Sequence, residues 1–256
     1  MVRTFLVRGM LVGVVAGLLS FGFLRLYGEP QVDRAIAFET QMDEARHAAE
    51  HANGAHAGMH MSDEEEPELV SRPVQAGLGL FVAVVVYSTA FGGLFGLAFA
   101  FAYGRLPGDP APQVLSALLA AMGFVAIYLV PNLKYPANPP AVGSPETIGM
   151  RTALYFIMIA VSLAAMIGAT SFKRLSVPLF GEWNANLMMA AFYIVIVTLA
   201  GLLLPAVNEV PDGFPAVVLW QFRMASFGAQ LIMWATLGLL FGALTRRALP
   251  VGKPST

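Results

Sequence analysis

Apolar positions along this chain come in long unbroken runs, not in the alternation of a half-buried strand or the narrow stripe of a soluble helix. A bilayer core about 30 Å thick needs roughly 20 apolar residues in a helix. Stretches from about Phe5 to Tyr27, Gly77 to Tyr103, Val114 to Val130, Thr152 to Phe172, Leu187 to Leu204 and Val217 to Leu244 meet that need. The pattern predicts an all-α, polytopic membrane helix bundle of about six transmembrane helices, with the lipid bilayer as its first partner. The run from Val114 is the shortest. The first run reads as an uncleaved signal anchor over residues 1–28. The alternative is a cleaved signal peptide with Arg3 and Arg8 as its basic region, but no A-x-A-like site follows Leu24 and the apolar part runs long.

Polar positions divide the rest. Residues 29–72 form an acidic segment, 73–247 the remaining bundle of about five helices, and 248–256 a tail. Proline-rich connections fall at 132–151 and 206–216. Basic residues set the orientation. With the N-terminus cytoplasmic, that side receives Arg3, Arg8, Arg105, Lys173, Arg174, Arg246, Arg247 and Lys253, and the other receives mainly Arg34, Arg46, Arg72, Lys134 and Arg151. Both termini are then cytoplasmic, and the acidic segment faces the periplasm of a bacterium. Gly9, Gly13 and Gly17 recur every four residues, as do Gly92 with Gly96 and Gly238 with Gly242, a spacing that lets membrane helices approach closely.

Composition sharpens this picture. Of 256 residues, 57% are hydrophobic and 12% charged, against about 25% charged in soluble domains. The net charge of -1 hides segregation, because most acids lie between Glu29 and Glu68. No basic patch points to nucleic acid. Cysteine is absent, which removes disulfides and thiolate metal sites. No membrane run contains histidine, so a haem with axial imidazoles in the bilayer is excluded. The chain lacks G-x-x-x-x-G-K-[ST], G-x-S-x-G and H-E-x-x-H, and the expectation is a protein that is not an enzyme and keeps no permanent cofactor.

All four histidines, His47, His51, His56 and His60, fall within the acidic segment. Each successive pair, 47 with 51 and 56 with 60, is four apart, so on a helix either pair could offer two imidazoles to one metal ion. Gly54 and Gly58 argue against one helix through both pairs; a helical first pair followed by a flexible arm fits better. Met59 and Met61 add thioethers, and Glu50 or Asp63 could complete a shell. Imidazole suits cobalt, nickel, copper and zinc ions alike. The bland reading is a solvated acidic loop that happens to hold histidines.

Two further features stand out. Arg223 lies inside the last run, where a charge normally faces a bundle interior and a partner, with Glu209, Asp212 and Glu146 as candidates; the alternative is that the span begins later and Arg223 snorkels to the interface. Lys134 to Gly143 is too rich in proline for helix or central strand, and Ser144-Pro145-Glu146-Thr147 reads as a helix start with Ser144 as N-cap. Pro211 to Pro215 is a second stiff turn. Asn138, Glu146, Glu209 and Asp212 on these connections are candidates to pass an ion onward.

The stretch Pro131-Asn132-Leu133-Lys134-Tyr135-Pro136-Ala137-Asn138-Pro139-Pro140-Ala141-Val142-Gly143-Ser144-Pro145-Glu146-Thr147-Ile148 resembles the signature of the CbtA family of predicted cobalt transporter subunits. Pro211-Asp212-Gly213-Phe214-Pro215, continuing through Trp220, Phe222 and Arg223 to Ser226, resembles the same family, as does the order of elements. The resemblance implies an inner-membrane subunit taking up cobalt for cobalamin biosynthesis, beside a small one-span, His-containing partner of the CbtB type. That family is often given five spans, against the six read here.

The expectation is therefore a metal-ion transport subunit. His47, His51, His56, His60, Met59 and Met61 capture a divalent cation, Co2+ before Ni2+ or Zn2+, and Arg223 organises the carboxylates that relay it. Two alternatives stand beside it: a non-conducting membrane metal-binding chaperone or sensor, and a transporter of something non-metallic whose histidines sense pH.

Overall fold

A computed structural model describes residues 1–52, 70–105, 108 and 110–248. Among these the chain is helical with no strand. In order the helices are α1 (Val2–Phe23), α2 (Glu29–Ala52), α3 (Arg72–Val74), α4 (Leu80–Ala102), α5 (Pro112–Gly123), α6 (Val130–Lys134), α7 (Ile148–Leu203) and α8 (Ala216–Ala248). Single π-helical turns at Leu24–Gly28, Gln75–Gly79 and Phe124–Leu129 splice α1 to α2, α3 to α4 and α5 to α6. A π turn holds an extra residue, so it rotates the face of whatever helix follows. Among the described residues, five continuous helical stretches are long and apolar enough to cross a membrane.

One of these, Pro145–Leu203, is too long for a single crossing. At about 1.5 Å per residue, α7 would measure over 80 Å if straight. It is not straight: Gly181 takes φ 75°, three residues after Pro178, and folds the helix back on itself. The Ser162 and Tyr193 hydroxyls meet at 2.7 Å, Phe172 stacks on Phe192, and Leu154 and Met158 pack near Val197 and Ala200. Early residues of the first arm thus meet late residues of the second, as in an antiparallel hairpin. The proline removes a backbone donor and the glycine supplies the left-handed backbone that other residues avoid.

The core of the bundle is built on close backbone contact. Gly9 lies against the backbone of Gly92 and Gly96, Gly13 against Ser88 and Thr89, and Gly17 against Val85. A Cβ on any of the three would collide with the facing helix, so glycine spacing locks α1 to α4. Gly238 and Gly242 do the same for α8 on α5, where the Ser116 hydroxyl also donates to the Gly238 carbonyl at 2.7 Å. Between these two pairs sits a ring cluster of Phe5, Phe95, Phe99, Tyr103 and Phe241. It occupies the end of the bundle that carries Arg8, whose guanidinium donates to the Thr245 hydroxyl at 3.3 Å.

At the opposite, loop-bearing end the first half of α2 lies on the bundle. Ala35 is fully buried among Val142, Phe214 and Val218, and Phe38 meets Phe214 edge-on. Residues 41–49 are exposed throughout. The segment that follows the first run therefore begins as a helix continuing out of it, docked for about three turns and then solvent-exposed through residue 49.

Candidate functional site

The exposed part of α2 carries His47, and the helical backbone continues through position 51, one turn further on. His56, His60, Met59 and Met61 lie outside the described residues. What aims the helix is a set of charged contacts at its base. Arg72 donates to the Glu29 carboxylate at 2.5 Å and to Asp33 at 2.8 and 3.2 Å. Glu29 is buried, so this pair is shielded from the screening that weakens surface pairs. Arg34 adds hydrogen bonds to Gln31 at 3.1 Å and Gln221 at 3.0 Å, tying α2 to the start of α8.

Below α2 the two proline connections close over the bundle. Glu209 accepts hydrogen bonds from the Ser144 amide at 2.9 Å and the Thr147 hydroxyl at 2.8 Å, and pairs with Arg151 at 3.3 Å. The Thr147 hydroxyl, then the Ser144 N–H and the Arg151 charge, hold its carboxyl below the usual range. Arg151 also donates to the Ser144 carbonyl at 3.1 Å, with its guanidinium against Gly143, which takes φ 114°. That positive φ strains any residue with a side chain, which is the physical reason for glycine there. Ser144 caps the next turn by accepting from the Glu146 amide at 3.3 Å, as its sequence context predicts. Tyr135 donates to the Pro205 carbonyl at 2.8 Å, a second tie between the connections.

Among the described residues, Arg223 hydrogen-bonds neither Glu209 nor any other carboxylate. It donates to the Ala137 carbonyl at 3.3 Å and the Asn138 side-chain oxygen at 2.9 Å, so the first connection serves as its partner. Below Arg223 the same face of α8 carries Ser226, whose hydroxyl lies 3.2 Å from that of Tyr128, and Gln230, beside Tyr87. Glu146 and Asp212 are exposed. The four proposed relay residues therefore fall into two kinds: Glu209 and Asn138 are engaged in holding the connections, while Glu146 and Asp212 face solvent. Among the described residues no three of the His, Asp and Glu side chains converge as a metal shell.

A family model described as Probable cobalt transporter subunit (CbtA) matches residues 2–246. The chain belongs to the CbtA family. The match runs from the first turn of α1 almost to the end of α8, so it takes in the acidic helix, both proline connections and the bundle. No curated protein and no solved structure matches the chain. CbtA membership makes the protein a membrane-embedded transport subunit and identifies cobalt as the ion of its family.

Within this CbtA protein, sequence reasoning missed the residues that hold the site together. Arg72 and Arg151 read only as loop charges, and Glu29 as one acid among many. Their contacts span 43 positions for Arg72 with Glu29 and 58, from 151 to 209, for Arg151 with Glu209. Nothing local in the sequence pairs them. A usable signal did exist for Glu29: it follows Gly28 at the end of an apolar run, where a carboxylate at the membrane boundary needs a cation.

Proposed function

We propose that the protein is the membrane subunit that carries a divalent transition-metal ion, cobalt above nickel or zinc, inward across a bacterial inner membrane. The observation that carries this reading is the family match from residue 2 to 246. In it the chain crosses the membrane six times, with the two arms of α7 counted separately, and both termini lie in the cytoplasm. The loop-bearing end is periplasmic, and the basic end with Arg8, Arg246 and Arg247 is cytoplasmic, in keeping with the positive-inside rule.

In this reading His47, His51, His56 and His60, aided by Met59 and Met61, collect the ion from the periplasm. The docked base of α2 supports that role, because it anchors the helix that bears His47 at the loop-bearing end of the bundle. Glu146 and Asp212 are the solvent-facing carboxylates that attract the ion next. Glu209, Asn138, Arg151 and Arg223 keep the mouth in shape. A small one-span, His-containing partner of the CbtB type completes the transporter. No ATP site is assigned to this chain; the membrane potential favours inward movement by about 2.3 kcal/mol per charge per 100 mV.

A second reading has its own support. Among the described residues, Arg223 is the charge set well inside the last helix, and it is a cation that repels a metal ion. That favours a membrane-tethered metal-binding chaperone or sensor that conducts nothing. Uptake of radioactive cobalt separates the two. Cells expressing the protein with its partner accumulate cobalt under the transport reading, and His→Ala substitution at positions 47, 51, 56 and 60 together reduces it. Metal binding without accumulation favours the chaperone, and accumulation unaffected by the quadruple substitution removes the capture role.

A further inference from the structure

Resting on the six-span topology given above, we propose that the folded apex of α7, residues 173–186, is an interfacial anchor that binds the anionic headgroups of the cytoplasmic leaflet.

The far end of the α7 hairpin has little protein to hold it. Its contacts with the rest of the bundle fall mainly on α6 and on residues 124–129, in the half nearer the loops. There Leu154 and Met158 cluster with Val130 and Tyr135, and Ala165 and Tyr193 with Val125. The apex lies beyond these contacts. Its small residues Ser176 and Ala185 are buried, while its large apolar side chains are not. Leu175, Leu179 and Trp183 are 74–77% exposed and Phe180 is 51% exposed. Leu175 and Leu179 lie one turn apart on the same face of the first arm. The Ser176 hydroxyl donates to the Phe172 carbonyl at 2.9 Å and the Asn184 amide to the Phe180 carbonyl at 3.0 Å, so these polar groups are satisfied within the hairpin.

Depth decides what covers the exposed residues. From Arg151 to Lys173 the first arm rises about 33 Å, which matches a hydrocarbon core about 30 Å thick. The core therefore ends near Lys173. Gly181 lies about 12 Å further along an unbent helix, and the bend after Pro178 and an ordinary tilt of about 20° bring it less far out. The headgroups add about 5–8 Å on each side of the core. Residues 175–183 thus lie at headgroup depth. In water alone they would form an exposed apolar patch. Tryptophan, and lysine and arginine that snorkel, are the side chains this layer favours. Within the apex Lys173 and Arg174 outnumber the one acid, Glu182. Apolar side chains between the headgroups and cations on their phosphates are the chemistry that holds an anionic lipid surface. Anchored in this way, α7 is held by protein at its loop end and by lipid at its apex.

The chain has no cysteine, so one introduced thiol can be labelled alone. Full-length protein carrying Leu179→Cys, or Leu175→Cys as a second site, is labelled with bimane. It is placed in vesicles of phosphatidylcholine alone or mixed with phosphatidylglycerol, with a neutral, water-soluble nitroxide quencher on both sides. A label at Met42→Cys, on the exposed part of α2, gives the aqueous scale. The aqueous quencher is expected to act about threefold less on the apex labels than on that one. Lipid with a nitroxide on its headgroup is expected to quench the apex labels more than lipid with a nitroxide deep in its chain. Phosphatidylglycerol is expected to increase the shielding from water, and Lys173→Gln with Arg174→Gln to abolish that increase. Matching helical circular dichroism and a single gel-filtration peak confirm the variants as folded. Aqueous quenching equal to that at Met42→Cys overturns the proposal and marks the apex as a surface for a cytoplasmic protein. Stronger quenching by the deep nitroxide overturns it too, as does shielding indifferent to phosphatidylglycerol. Leu179→Cys is also expected to react with an impermeant thiol reagent in inside-out membrane vesicles and not in right-side-out ones. The reverse pattern would count against the topology, while the quenching still decides the lipid contact.

Discussion

Glu209 joins two stretches of chain that are far apart in sequence: its own connection, and the segment that runs from the Ser144–Thr147 turn to Arg151 at the start of α7. Its carboxyl is held below the ordinary range near 4. The ionised form therefore favours the folded state. That contribution is complete above the unfolded value, declines as pH falls through the folded value, and is gone below both. Glu209→Gln keeps the size and loses the charge. The expected outcome is a lower Tm at neutral pH and a flatter fall of Tm on acidification below about pH 5; an unchanged acid slope would show that the latch contributes nothing. Arg72 presents the opposite case. Arg72→Met leaves the buried Glu29 carboxylate without its cation. Losing charged hydrogen bonds of this kind costs about 1–3 kcal/mol, and the loss is expected as lower thermal stability together with faster amide exchange over residues 29–38. Slower or equal exchange there would mean that apolar contacts at Ala35 and Phe38 alone hold α2.

Among the helices, α1 and α4 depend most sharply on particular residues. Gly13 faces the Ser88 and Thr89 backbone, whereas Gly22 on the same helix has open space around it. Gly13→Leu is therefore expected to separate the pair, at about 1–3 kcal/mol or more for overpacking, and to yield little folded protein in membranes. Gly22→Ala is expected to be neutral or slightly stabilising, since the site is helical and unobstructed. Equal yields from the two variants would refute the close contact. The spacing of Gly9, Gly13 and Gly17 made the contact face readable from sequence, but not the helix it meets, because any small-residue face could serve. The hydrophobic runs located the membrane helices, and Ser144-Pro145 located a helix start. The continuity of α2 out of α1 was not readable in full. Its distal part has no apolar face to bury, and its helicity is continued from a membrane helix instead of being earned by packing. Gly181 marked the fold of α7 only weakly, as one glycine among 25.

For the molecule as a whole, the separation of charge decides what can move it. Most acids lie at the loop-bearing end, the larger share of the basic residues lies at the other, and the spans between carry few charges. An ion entering at the acidic, loop-bearing end gains from the local concentration of carboxylates. It then faces the cost of leaving water, which neither Arg223 nor the neutral lining of the bundle offsets with opposite charge. Under the transport reading, the source of drive left to this chain is the field across the membrane. For a dication that amounts to about 4.6 kcal/mol per 100 mV, twice the value for one charge, or a concentration ratio of about three orders of magnitude at equilibrium. Vesicles containing the protein and its partner, with a potassium–valinomycin potential negative inside and no ATP, are expected to accumulate cobalt, and to lose most of that accumulation when the potential is collapsed. Accumulation that survives collapse but requires ATP would place the energy source on another subunit. Accumulation in neither condition, with cobalt still bound at the loop-bearing face, would favour the non-conducting metal-binding role.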